Sequence, residues 1–164
     1  MKKRSIDIFF TWCASPVGTV VIRGTRQHVT EMLFTEEAPE ENDNPNDVIN
    51  EAKRQLEEYF ARQRNTFDLP LLPEGTEFQH TVWKLLQNIP FGRTTSYAAL
   101  ARQYGDIKAI RAVGSANGKN PIGIVIPCHR VIGSDGELVG YAGGLWRKKW
   151  LLEFESQHRQ QSLF

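Results

Sequence analysis

Cysteine is scarce in this chain: there are two, Cys13 and Cys128, with no CxxC pair, and the four histidines (His28, His80, His129 and His158) stand at no zinc-type spacing to them. A disulfide framework and a structural metal are therefore not expected. Long apolar runs are missing as well, which leaves no candidate membrane span. The basic opening "MKKR" imitates a signal peptide, but Asp7 interrupts the short apolar stretch behind it, so a cytoplasmic location is expected. Compositional bias is also lacking. With 40% hydrophobic and 24% charged residues, the 164-residue chain has the make-up of a folded protein with one good core or two small ones.

Net charge is almost absent, at +1, yet the charges are unevenly placed. Met1 to Gly75 holds nine Lys/Arg against thirteen Asp/Glu, a net −4, whereas Arg93 to Trp150 holds nine against three, a net +6. A basic segment beside an acidic one points to a polyanionic partner such as nucleic acid.

The pattern changes along the chain. "SIDIFFTWCA", "GTVVIRG" and "HVTEMLFTE" alternate apolar and polar residues, with turn residues between them, and predict an antiparallel meander in which Cys13 falls in the first turn region. A polar loop then delivers Asn46 as the N-cap of a helix over "DVINEAKRQLEEYFARQR", whose apolar face runs Val48, Ala52, Leu56 and Tyr59 or Phe60. The Pro-rich "FDLPLLPEG" reads as a linker, placing a boundary near Gly75: residues 1–75 form a sheet-and-helix domain and 76–164 a mostly helical one. In the second part Thr76 and Gln79 form a capping box for a helix bearing Phe78, Val82, Leu85, Leu86 and Ile89. "SYAALARQYG" and "IKAIRAVGSANGKN" follow as two short helices separated by Gly105 and Asp106, the second closed by Gly118.

That outline is a helix-turn-helix, and two packed helices with a glycine turn also occur in proteins that never touch DNA. The second helix is nearly bare: Ala112, Gly114 and Ser115 surround a single Arg111. Small residues suit tight helix packing, and equally a close approach to a nucleic-acid backbone. With so few base-reading side chains, the minor groove fits better than the major.

"IPCHRV" (126–131) carries the chemistry. A buried cysteine is most often an inert small hydrophobe, and "GIVIPC" reads as a core strand ending in one. Against this, Pro127 breaks the run, basic neighbours and a short helical turn would favour the thiolate, and His129 supplies a base. Adjacent residues of a strand point opposite ways, so the two side chains cooperate only through a turn or a bridging water. A third group should orient the imidazole, the candidates being Asp135, Glu137, Glu153 and Glu155.

The stretch "NPIGIVIPCHRVIGSDGELVGYAGGLWRKKWLLEFE", with "FQHTVWKLLQNIPFGRTTSYAALA" and "AIRAVGSANGKNP" before it, closely resembles the O6-alkylguanine-DNA alkyltransferases, also called methylated-DNA–protein-cysteine methyltransferases. The resemblance runs from about Thr76 to Glu155. It implies an α/β two-domain fold: a small N-terminal antiparallel sheet with a packed helix, ribonuclease-H-like, then a mostly helical C-terminal domain with a helix-turn-helix, winged-helix-like. It implies direct repair, in which the alkyl group of O6-alkylguanine (and of O4-alkylthymine) moves irreversibly to the protein after the nucleotide is flipped from the minor groove. The partner implied is double-stranded DNA, bound by a monomer, with cooperativity on DNA left open; no cofactor, metal or membrane is implied. Position by position, Cys128 resembles the alkyl acceptor, His129 its base and Glu155 the carboxylate that polarises it. Asn120 resembles a hinge between recognition helix and active-site loop, Tyr97 the donor that helps to turn out the base, and Lys148 the lysine near the departing oxygen. Arg111 resembles the finger that fills the vacated stack, with Ala112, Gly114 and Ser115 against the DNA. Val131 resembles the residue whose carbonyl reads the guanine amino group, and Val139, Tyr141, Ala142 and Gly143 the substrate loop. A catalytically weak lesion-binding protein is the alternative; such relatives lack the cysteine that this chain has.

Overall fold

A computed structural model describes residues 8–38 and 42–162, with side chains placed as far as Ser156. The Ser5–Asp7 start of the first expected strand and the His158 side chain lie outside the described residues. The chain divides into two compact units, Met1–Glu74 and Gly75–Phe164.

In the first unit, β1 (Phe9–Ser15), β2 (Gly18–Gly24) and β3 (Val29–Thr35) form an antiparallel sheet in sequence order. Ser15 pairs with Gly18 across a two-residue turn, and the Ser15 hydroxyl donates to the Gly18 carbonyl. Cys13 is not in the turn: it pairs with Val20 inside β1, on the buried face, because the alternation of "TWCA" continues through it. The register shifts between Arg23 and Gly24, and a Cβ on Gly24 would lie 2.2 Å from the His28 carbonyl oxygen, so only glycine fits there. Helix α1 (Asp47–Phe60) starts where the Asn46 side chain accepts from Ile49 N at 2.9 Å. Its buried face is Ile49, Ala52, Gln55, Leu56 and Tyr59; Ile49 takes the place expected of Val48. Gln55 is buried because its amide bonds both backbone groups of Asp68, anchoring the extended segment whose Leu71 bridges to Val29.

In the second unit, α2 (Glu77–Leu86) carries the Thr76–Gln79 capping box. Its largest buried side chain is Trp83, whose indole N–H donates to the Ala116 carbonyl at 2.9 Å. Helix α3 (Tyr97–Tyr104) begins at Ser96, which accepts from Ala99 N, and ends at Gly105, where φ is +113° and glycine adopts the left-handed region without strain. Asp106 caps a short 3₁₀ turn, Ile107–Ala109, that runs into α4 (Ile110–Gly118). Gly118 is the last helical residue rather than a left-handed cap, and Lys119 closes the helix with ordinary φ. Helix α4 buries Val113, Ala116 and Asn117 and turns Arg111, Ala112 and Ser115 outward. Two short strands, β4 (Thr95–Ser96) and β5 (Val131–Ile132), pair in parallel, and α5 (Leu145–Ser162) completes the unit. Among the described residues, no helix is long and apolar enough to cross a membrane.

Candidate active site

The apolar run before Cys128 is not a strand. Residues 121–127 are irregular, with Ile122, Ile124 and Ile126 all buried and Ile124 held at φ +69°, a conformation a β-branched residue rarely adopts. Asn120 replaces the missing ladder. Its amide N–H groups donate to the carbonyls of Ile126 (2.7 Å) and Ile122 (3.3 Å), while its oxygen accepts from Ile122 N (3.0 Å). The segment is thereby folded back, and Cys128 enters a 3₁₀ turn, Cys128–Arg130, which places thiol and imidazole on one turn instead of on opposite faces of a strand.

Both side chains are buried, Cys128 at 5% and His129 at 0% exposure. Burial pushes the Cys128 thiol up from its ordinary value; hydrogen bonding from Asn120 and the charge of Lys148 oppose the shift without cancelling it. The resting sulfur is therefore a thiol. This corrects the expectation that basic neighbours would favour the thiolate outright, because desolvation of the closed turn outweighs them.

Of the four candidate carboxylates, the imidazole meets Glu155, with Nε2 2.9 Å from Oε2. Asp135 instead accepts from Glu137 N in an exposed turn, and Glu153 is exposed beside Lys149. Glu155 has a second partner that sequence reading missed: Arg130, whose Nε donates to Oε1 at 2.8 Å and Nη2 to Oε2 at 3.0 Å, while Nη1 donates to the Ile89 carbonyl. Burial pushes the Glu155 carboxyl up, but the charges and hydrogen bonds of His129 and Arg130 overcome it and hold the group well below the usual carboxylate range. Glu155 is thus a fixed anion behind the imidazole. On the other side of the ring, Nδ1 is buried and has no partner among the described residues.

A second cluster lies within electrostatic reach of the sulfur. Lys148 is fully buried; its Nζ donates to the Val139 carbonyl at 2.8 Å and reaches Tyr97 Oη at 3.4 Å. Desolvation lowers the Lys148 pKa, and the proximity of Cys128 partly restores it. The Tyr97 hydroxyl donates to the same Val139 carbonyl at 2.9 Å, and burial raises its pKa. Tyr141 is pushed well above its ordinary value, first by burial and then by the Cys128 charge, which places it within electrostatic reach of the sulfur. Asn117, also missed in the sequence, donates from Nδ2 to the Cys128 carbonyl at 3.3 Å.

A cavity of about 400 Å³ opens beside this cluster, lined by Tyr97, Ile110, Arg111, Gly114, Val139 and Gly140, with Gly118 at its margin. Its wall is mainly apolar, and α4 contributes Gly114 and Gly118 to it. Val131 lies in β5, buried, directly after the 3₁₀ turn. Ala142 is exposed and Gly143 is half-buried on the loop before α5, where the Gly143 carbonyl accepts from Arg147. Arg111, Ala112 and Ser115 share the exposed face of α4, and Arg111 borders the cavity. Among the described residues, no group of His, Cys, Asp and Glu is arranged to hold a metal ion.

Comparison with known proteins gives matches over nearly the whole chain. Residues 77–157 match the family model for the 6-O-methylguanine DNA methyltransferase DNA-binding domain, and residues 8–73 match that for the ribonuclease-like domain of the same proteins. A methylated-DNA–protein-cysteine methyltransferase of Methanosarcina acetivorans is 43% identical over 153 residues, covering 90% of this chain and 98% of the relative. The constitutive one of Bacillus subtilis is 41% identical, covering 90% and 94%. The crystal structure of Mycobacterium tuberculosis O6-methylguanine methyltransferase superposes with a TM-score of 0.83 at 42% identity, covering 93% of this chain and 94% of that one. A structure from the same organism in complex with DNA gives 0.82 at 43% identity, covering 91% and 93%.

Proposed function

The chain belongs to the 6-O-methylguanine DNA methyltransferase family, whose members move the alkyl group of O6-alkylguanine in DNA to a cysteine of their own, and we propose that in this chain the acceptor is Cys128. The observation that carries the assignment is the buried Cys128 thiol, held between a cation, Lys148, and the turn it shares with the His129–Glu155–Arg130 network. His129 takes the thiol proton through a water at Nδ1, and Glu155 stabilises the imidazolium that results. The thiolate sulfur then attacks the alkyl carbon as the bond from that carbon to O6 breaks. The electron pair leaves with the guanine, which Tyr97 and Lys148 stabilise by donating hydrogen bonds or a proton. A thioether has no carbonyl for water to attack, so Cys128 is not regenerated and each molecule reacts once.

The target oxygen lies within a base pair, and a protein sulfur reaches it only if the nucleotide is turned out of the stack, at a cost of a few kcal/mol. The apolar cavity receives the base, and Arg111 on the exposed face of α4 fills the space left behind. Ala112, Gly114 and Ser115 let that helix approach the minor groove. Asn120 holds the loop between α4 and the thiol. The carbonyl of Val131 and the 139–143 loop border the base, with O4-alkylthymine as a second substrate. In this reading α3 and α4 form a helix-turn-helix in a winged-helix-like domain of residues 76–164. Residues 1–75 form a ribonuclease-H-like domain, and the protein works as a cytoplasmic monomer.

The experiment separates the two thiols. Cys128→Ser should fold, bind DNA and transfer nothing, and Cys13→Ser should react like the unmodified protein. Cys13 sits inside a sheet with its thiol pKa pushed up by burial to about 11, so it is a poor nucleophile. Loss of transfer in Cys13→Ser alone would overturn the assignment.

A further inference from the structure

Asn117 is 1% exposed and sits on the inner face of α4, between two functional groups. Its Nδ2 donates to the Cys128 carbonyl at 3.3 Å, and its side chain is close enough to the Tyr97 hydroxyl to lower that group's pKa against the effect of burial. A carbonyl only accepts, so the amide nitrogen must face it. The orientation of the amide is thereby fixed and Oδ1 points elsewhere. That oxygen is buried and has no partner among the described residues. A buried acceptor left unpaired is costly, and one kept beside a ligand cavity is waiting for a donor.

The substrate limits what that donor can be. Alkylation at O6 removes the proton from N1, so the pairing edge and the ring nitrogens of O6-alkylguanine present acceptors only. The exocyclic 2-amino group is the one N–H donor left on the base. We propose that Asn117 Oδ1 accepts from this amino group and is a specificity-determining residue that selects guanine lesions. The inference rests on the reading of alkyl transfer given above and deepens it. Tyr97, whose pKa the Asn117 side chain lowers, lines the cavity that would hold the base, and Gly114 and Gly118, three residues before and one after Asn117, line it too. O4-alkylthymine, which has no amino group, leaves Oδ1 unpaired and is the poorer substrate.

The test compares two DNA duplexes, one carrying O6-methylguanine and one carrying O6-methylhypoxanthine, which differs only in lacking the 2-amino group. Second-order transfer rates are measured on both for the unmodified protein and for Asn117→Leu, which is close in size but has no acceptor. The unmodified protein should prefer guanine, and the preference should fall on the order of tenfold in Asn117→Leu, the scale of one lost specific hydrogen bond. Slowing common to both substrates reports the lost Nδ2 clamp on Cys128 and cancels in the ratio. An unchanged ratio would overturn the proposal and leave Asn117 a brace only. If Asn117→Leu does not fold, the Asn117 side-chain amide resonance of ¹⁵N-labelled Cys128→Ser protein decides. It should shift with the guanine duplex and not with the hypoxanthine one, and equal shifts with both would overturn the proposal. Failure of the underlying reading looks different: the unmodified protein would then transfer from neither duplex to Cys128.

Discussion

Glu155 shows how one buried carboxylate can serve two partners, an imidazole and a guanidinium, and the division of labour is testable. Arg130 holds it ionised and in place, while His129 draws on its charge. Replacing the charge with a neutral amide, as in Glu155→Gln, removes stabilisation of the imidazolium but keeps the size. Because burial raises the Cys128 thiol pKa, little thiolate forms at neutral pH without that help, whereas alkaline pH ionises the thiol directly. Glu155→Gln should therefore slow transfer on the order of a hundredfold at pH 7 and progressively less as pH rises, in rates measured on one substrate across the range. Equal slowing at every pH would mean that the carboxylate only supports the fold. The pairing of a thiol with an imidazole was legible in "PCHR" because few roles explain the two side by side, whereas the carboxylate behind the imidazole was one of four candidates. Arg130 and Asn117 were not legible. Nothing in sequence separates a solvated arginine from one buried under a carboxylate, or an asparagine on a bare helix face from one turned inward.

Regular elements were read from their periodicity, and they hold where periodicity decides. The alternating segments are β1 to β3, and the capping box of Thr76 and Gln79 starts α2. The approach to Cys128 escaped this logic. An apolar run looks like a strand, and here the side chain of Asn120, bonding across six residues, and local backbone turns fold it back. Helix α4 is a third case: its small outer residues were legible, and the structure places Arg111 on that exposed face beside the cavity. Arg111→Ala should slow repair of duplex DNA on the order of tenfold or more and leave transfer from free O6-methylguanine nearly unchanged, because only the duplex requires extrusion. Single-stranded substrate should fall between. Equal loss on all three would mean that Arg111 supports the active-site fold instead of the stack.

For the whole molecule, the near-zero net charge conceals an acidic first part and a basic Arg93–Trp150 segment. DNA binding driven by that segment releases counterions, so the logarithm of affinity should fall linearly with the logarithm of salt concentration. Titrations of the Cys128→Ser protein with duplex DNA at several salt concentrations would measure the slope, and a salt-independent affinity would contradict the electrostatic account. The most direct measurement for the account as a whole is the fate of the alkyl group. The protein is incubated with excess duplex carrying isotopically labelled methyl on guanine O6, digested, and its peptides are weighed. The account predicts one methyl per protein molecule, on the peptide containing Cys128, retained indefinitely, with no further turnover. Label on the Cys13 peptide, label lost to water with time, or more than one equivalent of repaired guanine per protein would contradict it.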